Sequence, residues 1–198
     1  MKIYGLTGGS GAGKSAAAQR LAAHGLGWVD ADAVYRNLCV PGSALLDALH
    51  AAFGDILTPD GALDRPALAR LVFSDADALA HLNDLTRPYI WQASRERFEH
   101  LAAQGTDCIL YDAPTLFQTG FDRLCDAVIG VVDSRETSIA RIMARDGLTR
   151  DAAAARIDAQ PDSAFYREKC DFILENDGDL SALERQIADL CPRLLSGT

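Results

Sequence analysis

Apolar residues along this chain follow two spacings, a short continuous run and a helical stagger. Ile3 to Thr7 is a run that Gly8-Gly9-Ser10-Gly11-Ala12-Gly13 ends abruptly, which predicts a buried strand followed by a loop. Ala17, Ala18, Leu21 and Ala22 then recur at helical spacing, so a helix is expected from about Lys14 to His24, stopped by Gly25 and Gly27. Trp28-Val29 reads as a second strand ending at Asp30-Ala31-Asp32. Residues 33 to 105 carry no strand pattern. Leu45, Leu46, Leu49 and Phe53 form one helical face, and Leu68, Leu71 and Val72 another. Pro41-Gly42 and Pro59-Asp60-Gly61 are turns, and a long helix is expected from about Arg87 to Ala103. Strands return at Cys108–Tyr111, ending at Asp112, at Ala127–Val132, ending at Asp133, and at Phe172–Leu174. Helices are expected at Ser134–Arg145, capped by Asp133 or Ser134, and from Thr149 to about Asp158. Leu180, Leu183, Ile187, Leu190 and Leu194 mark a last amphipathic helix, with the final three residues frayed. Strands alternating with helices give an α/β class with a mostly parallel five-stranded sheet and helices on both faces.

Length and composition refine this without changing it. With 198 residues the chain can hold one domain and a sizeable core. Residues 33–105 therefore read as a helical insertion in a core of 1–32, 106–136 and 161–198. The net charge of −9 disfavours a polyanionic partner, so nucleic acid is not expected. The five cysteines are scattered and lack C-x-x-C spacing, which suits free thiols in a reducing compartment. The start of the chain does not read as a signal peptide and no stretch reads as a bilayer span, so a cytoplasmic protein off the membrane is expected, and a monomer.

The chemistry begins at Gly8-Gly9-Ser10-Gly11-Ala12-Gly13-Lys14-Ser15, which fits G-x-x-x-x-G-K-[ST]. Glycines let backbone amides close on phosphate, and the helix that follows turns its N-terminal N–H groups towards an anion. Lys14 has the reach for the β- and γ-phosphates of ATP, Ser15 has a hydroxyl for Mg2+, and the amides of Ser15 and Ala16 are expected to face phosphate. The motif follows a strand and opens a helix, as a phosphate loop requires. A GTPase switch would carry N-K-x-D or T-K-x-D, and neither is present. A motor ATPase would place a glutamate beside the strand-ending aspartate, whereas Asp112 has none adjacent.

A small-molecule kinase remains, and it needs a base, an acceptor pocket and an arginine-bearing lid. Asp32, just past the second strand, is the candidate base, since ligands of open parallel sheets sit beyond the strands' carboxyl ends. Asp30 or Asp32 could instead cap the next helix. Asp112 is a candidate magnesium ligand or a plain turn aspartate. Arg141 and Arg145, four apart, share a helix face within a lid at about 137–160. The competing reading is a solvated face paired with Asp146, Asp151 and Asp158. Asn176 and Gly178, after the last strand, stand where such folds often pass the adenine, and read equally as an ordinary strand-to-helix turn.

These segments together resemble the dephospho-CoA kinase family. The resemblance rests on Gly5-Leu6-Thr7-Gly8-Gly9 with the loop, Val29-Asp30-Ala31-Asp32, Val40-Pro41-Gly42, Phe53-Gly54, Asp60-Gly61 and Arg87-Pro88-Tyr89-Ile90. It continues through Ala113-Pro114-Thr115-Leu116-Phe117, Arg145-Asp146-Gly147-Leu148-Thr149-Arg150, Arg156-Ile157-Asp158-Ala159-Gln160 and Asn176-Asp177-Gly178. It implies a three-layer P-loop kinase fold and phosphorylation of the ribose 3′-hydroxyl of dephospho-CoA by ATP with Mg2+. It makes Asp32 the general base, residues 33–105 the acceptor-binding region and 137–160 the lid. Arg87, Pro114 and Leu116 become acceptor contacts. Two segments depart from type: Arg87-Pro88 stands where the family usually has His-Pro, and Gln118 ends a segment that usually ends in Glu. A kinase of another nucleoside, nucleotide or sugar, or an ATP-binding regulatory protein, are the alternatives.

Overall fold

Each of the five expected strands forms, and they assemble into one all-parallel sheet ordered β2-β3-β1-β4-β5. The strands are β1 (Lys2–Gly8), β2 (Gly27–Asp30), β3 (Cys108–Asp112), β4 (Ala127–Val132) and β5 (Phe172–Glu175). The computed structural model describes residues 1–196, and of Phe73 the backbone alone. The chain divides into two compact units, residues 1–29 with 101–198, and residues 30–100.

In the first unit β1 lies between β3 and β4, with Leu6 opposite both Asp112 and Ile129. Side chains alternate across the sheet. Tyr4, Leu6, Leu110, Ile129, Val131 and Leu174 point to one side, where α1 (Lys14–Ala23) and α10 (Leu180–Ser196) cover them with Ala17, Leu21, Leu183 and Ile187. Each large aliphatic side chain buried there contributes roughly 1.5–3 kcal/mol. The other side meets α6 (Leu116–Thr119), a 3-10 turn at Phe121–Leu124 and α9 (Ser163–Lys169). There Tyr111 packs edge-on against Phe121 at 5.8 Å. An arm follows β4, made of α7 (Arg135–Asp146) and α8 (Arg150–Asp158) joined through Ile139, Ile142, Ala153 and Ile157. Ser134 caps α7 and Thr149 caps α8. All five cysteines are free.

The second unit holds α2 (Ala31–Leu38), α3 (Ala44–Phe53), α4 (Arg65–Phe73) and α5 (Ala76–Ala103) as far as His100. Its own core is Cys39, Leu45, Leu49, Ile56, Leu68 and Val72. Ser43 caps α3 and Asp64 caps α4.

The boundaries differ from expectation in three places. β2 stops at Asp30, and Ala31 and Asp32 belong to α2, because the Asp30 carboxylate accepts from the amides of Asp32 and Ala33 at 2.9 and 3.1 Å. α5 begins at Ala76, not Arg87, and passes through Pro88. Leu79, Leu82, Leu85 and Tyr89 form one apolar row against the unit's core across that proline, and this packing outweighs its local cost. α10 reaches Ser196, so the fraying expected there is not seen, and its other two residues lie outside the described ones.

Candidate active site

The phosphate loop joins β1 to α1, and its shape depends on glycine at two positions. Gly11 and Gly13 both have φ of +88°. A methyl group on Gly11 would stand 2.7 Å from the Ser138 carbonyl oxygen, and one on Gly13 2.1 Å from Asn176 Nδ2. Only a residue without Cβ takes that turn at that separation. The loop carbonyls are occupied from outside. Arg141 Nη1 donates to Gly11 O and Ala12 O at 3.3 and 3.4 Å, and Asn176 Nδ2 donates to Ala12 O at 2.7 Å. The amides of Gly13, Lys14 and Ser15 have no acceptor among the described residues. With the carbonyls fastened and the amides open at the start of α1, the loop is a built anion cradle. The Ala16 amide differs from expectation, since it already donates to Gly13 O at 3.0 Å.

Asp112 ends β3 beside β1, and its carboxylate accepts a short hydrogen bond from the Lys14 ammonium. Both side chains are largely buried, so the pair is screened little by water. Ser15 is exposed at the first turn of α1. A carboxylate and a hydroxyl are the hard oxygen donors Mg2+ prefers. Among the described residues no group of three or more His, Cys, Asp or Glu side chains could hold a metal. This donor set fits an ion that keeps most of its shell as water and phosphate oxygens, which is the habit of Mg2+.

Arg141 is placed as a brace. Besides the loop carbonyls it donates from Nη2 to Asn176 O at 2.7 Å, and Nη1 lies 3.2 Å from Asp133 Oδ2. Asp133 follows directly after β4 and is buried; Ser138 Oγ donates to both its carboxylate oxygens at 2.7 and 2.9 Å. Burial pushes the Asp133 carboxyl above the usual range, and the bonds from Ser138 and Arg141 pull it back part of the way. Asn176 is also buried, and its Oδ1 has no hydrogen-bond partner among the described residues. A buried carbonyl oxygen left open costs the fold about 1–3 kcal/mol, so it suits a ligand's donor. Gly178 is exposed in the same loop.

Arg145 does not share the environment of Arg141. It forms a two-point pair with Asp146 at 2.7 and 2.8 Å, and Arg156 reaches the same carboxylate at 2.8 Å. Arg150 pairs with Glu136, and Arg135 makes two bonds to Asp158. In this state the arm's exposed arginines are paired with acids, at Asp146 and Asp158 as the competing reading of the sequence expected, and at Glu136, which it did not name. Pro114 O accepts from Thr7 Oγ1 at 3.3 Å. Leu116 is fully buried against Gly5.

In the second unit Asp32 is exposed on the first turn of α2, and its carboxylate bonds to no described residue. Asp30 takes the capping role, which leaves the Asp32 carboxylate available. Arg87 is half-exposed on α5 and pairs with Asp84 at 3.0 Å.

With this geometry in place, known proteins can be compared. The family model for dephospho-CoA kinase matches residues 2–182. The chain belongs to the dephospho-CoA kinase family. A family member from Anaeromyxobacter dehalogenans is 42% identical over 195 residues, covering 96% of this chain and 92% of that protein. The crystal structure of TT1252 from Thermus thermophilus superposes with a TM-score of 0.83 at 32% identity, over 98% of this chain and 97% of that one. The dephospho-CoA kinase from Campylobacter jejuni superposes at 0.71 with 25% identity, over 100% and 99% of the two chains. The P-loop kinase fold and a phosphotransferase acting on an alcohol follow from membership in this family.

Sequence reasoning missed two members of the network. The sequence offers Asp133 or Ser134 as the cap of α7; Ser134 fills that place, and Asp133 orients Ser138 and Arg141. Its signal was available, because it stands at a strand's end as Asp112 does. Ser138 carries no motif, and only the fold reveals it.

Proposed function

We propose that the protein transfers the γ-phosphoryl group of ATP to the ribose 3′-hydroxyl of dephospho-CoA, the last step of coenzyme A synthesis. The observation that carries the reading is the phosphate cradle, with open amides at Gly13, Lys14 and Ser15 and carbonyls tied back by Arg141 and Asn176. The family model over residues 2–182 supplies the acceptor.

The roles follow from chemistry. Residues 8–15 hold the triphosphate through main-chain N–H groups. Lys14, now on Asp112, turns to the β- and γ-phosphates and offsets charge as the bond to the leaving oxygen lengthens. Ser15 and Asp112 would hold Mg2+, which when bound neutralises phosphate charge. Asn176 Oδ1 accepts from the exocyclic amine of adenine, which satisfies its open valence. Arg141 keeps loop and adenine side in register, since it binds Gly11, Ala12 and Asn176 together. Asp32 accepts the proton of the attacking hydroxyl, a part that suits its exposed, unbonded carboxylate. Arg87 meets an acceptor phosphate once it leaves Asp84. Residues 33–105 bind the acceptor, and 137–160 act as a lid whose Arg145 exchanges Asp146 for phosphate. We place the protein in the cytoplasm as a monomer; among the described residues no helix is long and apolar enough to cross a membrane.

The test is ADP release by purified protein with ATP, Mg2+ and dephospho-CoA, against a panel of nucleosides, nucleotides and sugars. Turnover only with dephospho-CoA supports the reading. Turnover only with another acceptor, or none above ATP alone, overturns it.

A further inference from the structure

The loop's outside supports are nearly all donors to its carbonyls. The exception is at Ser10, whose N–H donates to Gln160 Oε1 at 2.9 Å across 150 residues of chain. The other end of the same carboxamide donates from Nε2 to Arg156 O at 3.2 Å, in the last turn of α8. Gln160 thus spends one end on the arm and the other on the phosphate loop. Ser10 and Gln160 are both half-buried and line a cavity of about 400 Å³ with Gly9, Asp133, Ser138 and Tyr166. No other side chain accepts from a main-chain amide of residues 8–15 among the described residues.

We infer that Gln160 is a positioning residue for ATP: it fixes the Ser10 amide and so joins the end of the arm to the shape of the phosphate loop. A neutral acceptor matters at this place. It anchors the amide without setting a negative charge beside the phosphates, which a carboxylate of the same length would do. Without the anchor, the turn at Gly9-Ser10 is held from within the loop by the Ala12 amide's bond to Gly9 O at 3.2 Å. Ordering it then falls to ATP, and apparent affinity drops. The effect belongs to ATP and not to the acceptor.

The inference rests on reading residues 8–15 as an ATP cradle, and four proteins test it: wild type, Gln160→Ala, Gln160→Glu and Tyr4→Phe. Tyr4→Phe removes a buried hydrogen bond from the Tyr4 hydroxyl to Leu194 O in the last turn of α10, at 2.8 Å, without touching the loop or the arm. Steady-state kinetics with ATP and dephospho-CoA are measured beside thermal unfolding. Gln160→Ala is expected to raise the KM for ATP five- to tenfold, about 1–1.4 kcal/mol, with the KM for dephospho-CoA within about twofold. Gln160→Glu keeps an acceptor oxygen and the fold, yet is expected to raise the ATP KM more than about tenfold. Tyr4→Phe is expected to lower the unfolding temperature while leaving the ATP KM within about twofold. The inference is overturned if Gln160→Ala leaves the ATP KM unchanged, if Tyr4→Phe raises it equally, or if Gln160→Glu behaves as wild type. Should the wild type turn nothing over, the functional reading fails alone, and calorimetric ATP affinities of the same four proteins decide the role of Gln160.

Discussion

Replacing Gly13 by alanine is the sharpest small change the loop allows. Its φ of +88° is left-handed, which costs a residue bearing Cβ about 1–2 kcal/mol. The new methyl would stand 2.1 Å from Asn176 Nδ2, well inside contact distance, so the amide has to move. That movement breaks its 2.7 Å bond to Ala12 O at a buried site, worth about 1–3 kcal/mol if the amide finds no other partner. The two effects together predict about 2–5 kcal/mol of lost stability, or about 4–20 °C in unfolding temperature for a chain of this size. Because Asn176 and the loop share the damage, ATP binding falls as well. Gly9→Ala is the comparison. No heavy atom lies within 4 Å of a Cβ there, and the fold is expected to lose no more than about 0.5 kcal/mol. Differential scanning calorimetry and ATP titration of both variants read the outcome. A Gly13→Ala protein that melts within about 2 °C of wild type and binds ATP normally refutes the reasoning.

Other outcomes follow from the same geometry. Asp32→Asn is expected to lower kcat by about 10²–10⁴-fold while the ATP KM and unfolding temperature stay put; near-normal turnover ends its assignment as base. Burial raises the Asp133 carboxyl in the folded state, so the unfolded chain loses that proton first as pH rises. Its contribution to stability therefore declines from about pH 4 up through the raised value and stays lower above it. Asp133→Asn, followed by urea unfolding across that window, should lack this decline, apart from a constant offset for weaker bonds to Ser138 and Arg141. Parallel wild-type and variant curves contradict it. Chelating Mg2+ with excess EDTA should abolish transfer and leave the unfolding temperature of the nucleotide-free protein unchanged.

The sheet and the loop were legible because four of the five strands are short apolar runs ended by glycine or aspartate, and the fifth run, Phe172–Leu174, leads into Glu175-Asn176. What escaped did so for particular physical reasons. Pro88 reads locally as a helix start, and only the row Leu79, Leu82, Leu85 and Tyr89 against the second unit's core carries α5 through it. α6 and α9 have four and seven residues, too few to show a period, although the Asp162 cap marks α9. Spacing put Arg141 and Arg145 on one face, but it could not tell that Arg141 reaches the loop carbonyls while Arg145 stays on Asp146. The aspartates at strand ends were the most informative residues. Asp112 holds Lys14, Asp133 holds Arg141, and Asp30 caps α2, leaving the Asp32 carboxylate unbonded.

The central claim is the transfer itself and its regiochemistry. Incubating the protein with Mg2+, ATP and dephospho-CoA, followed by phosphorus NMR and mass spectrometry of the product, tests it most directly. The account predicts one equivalent of ADP and a product heavier by one phosphoryl group, carried as a monoester on the ribose 3′-oxygen. Unchanged dephospho-CoA, or a phosphate at any other oxygen, contradicts it.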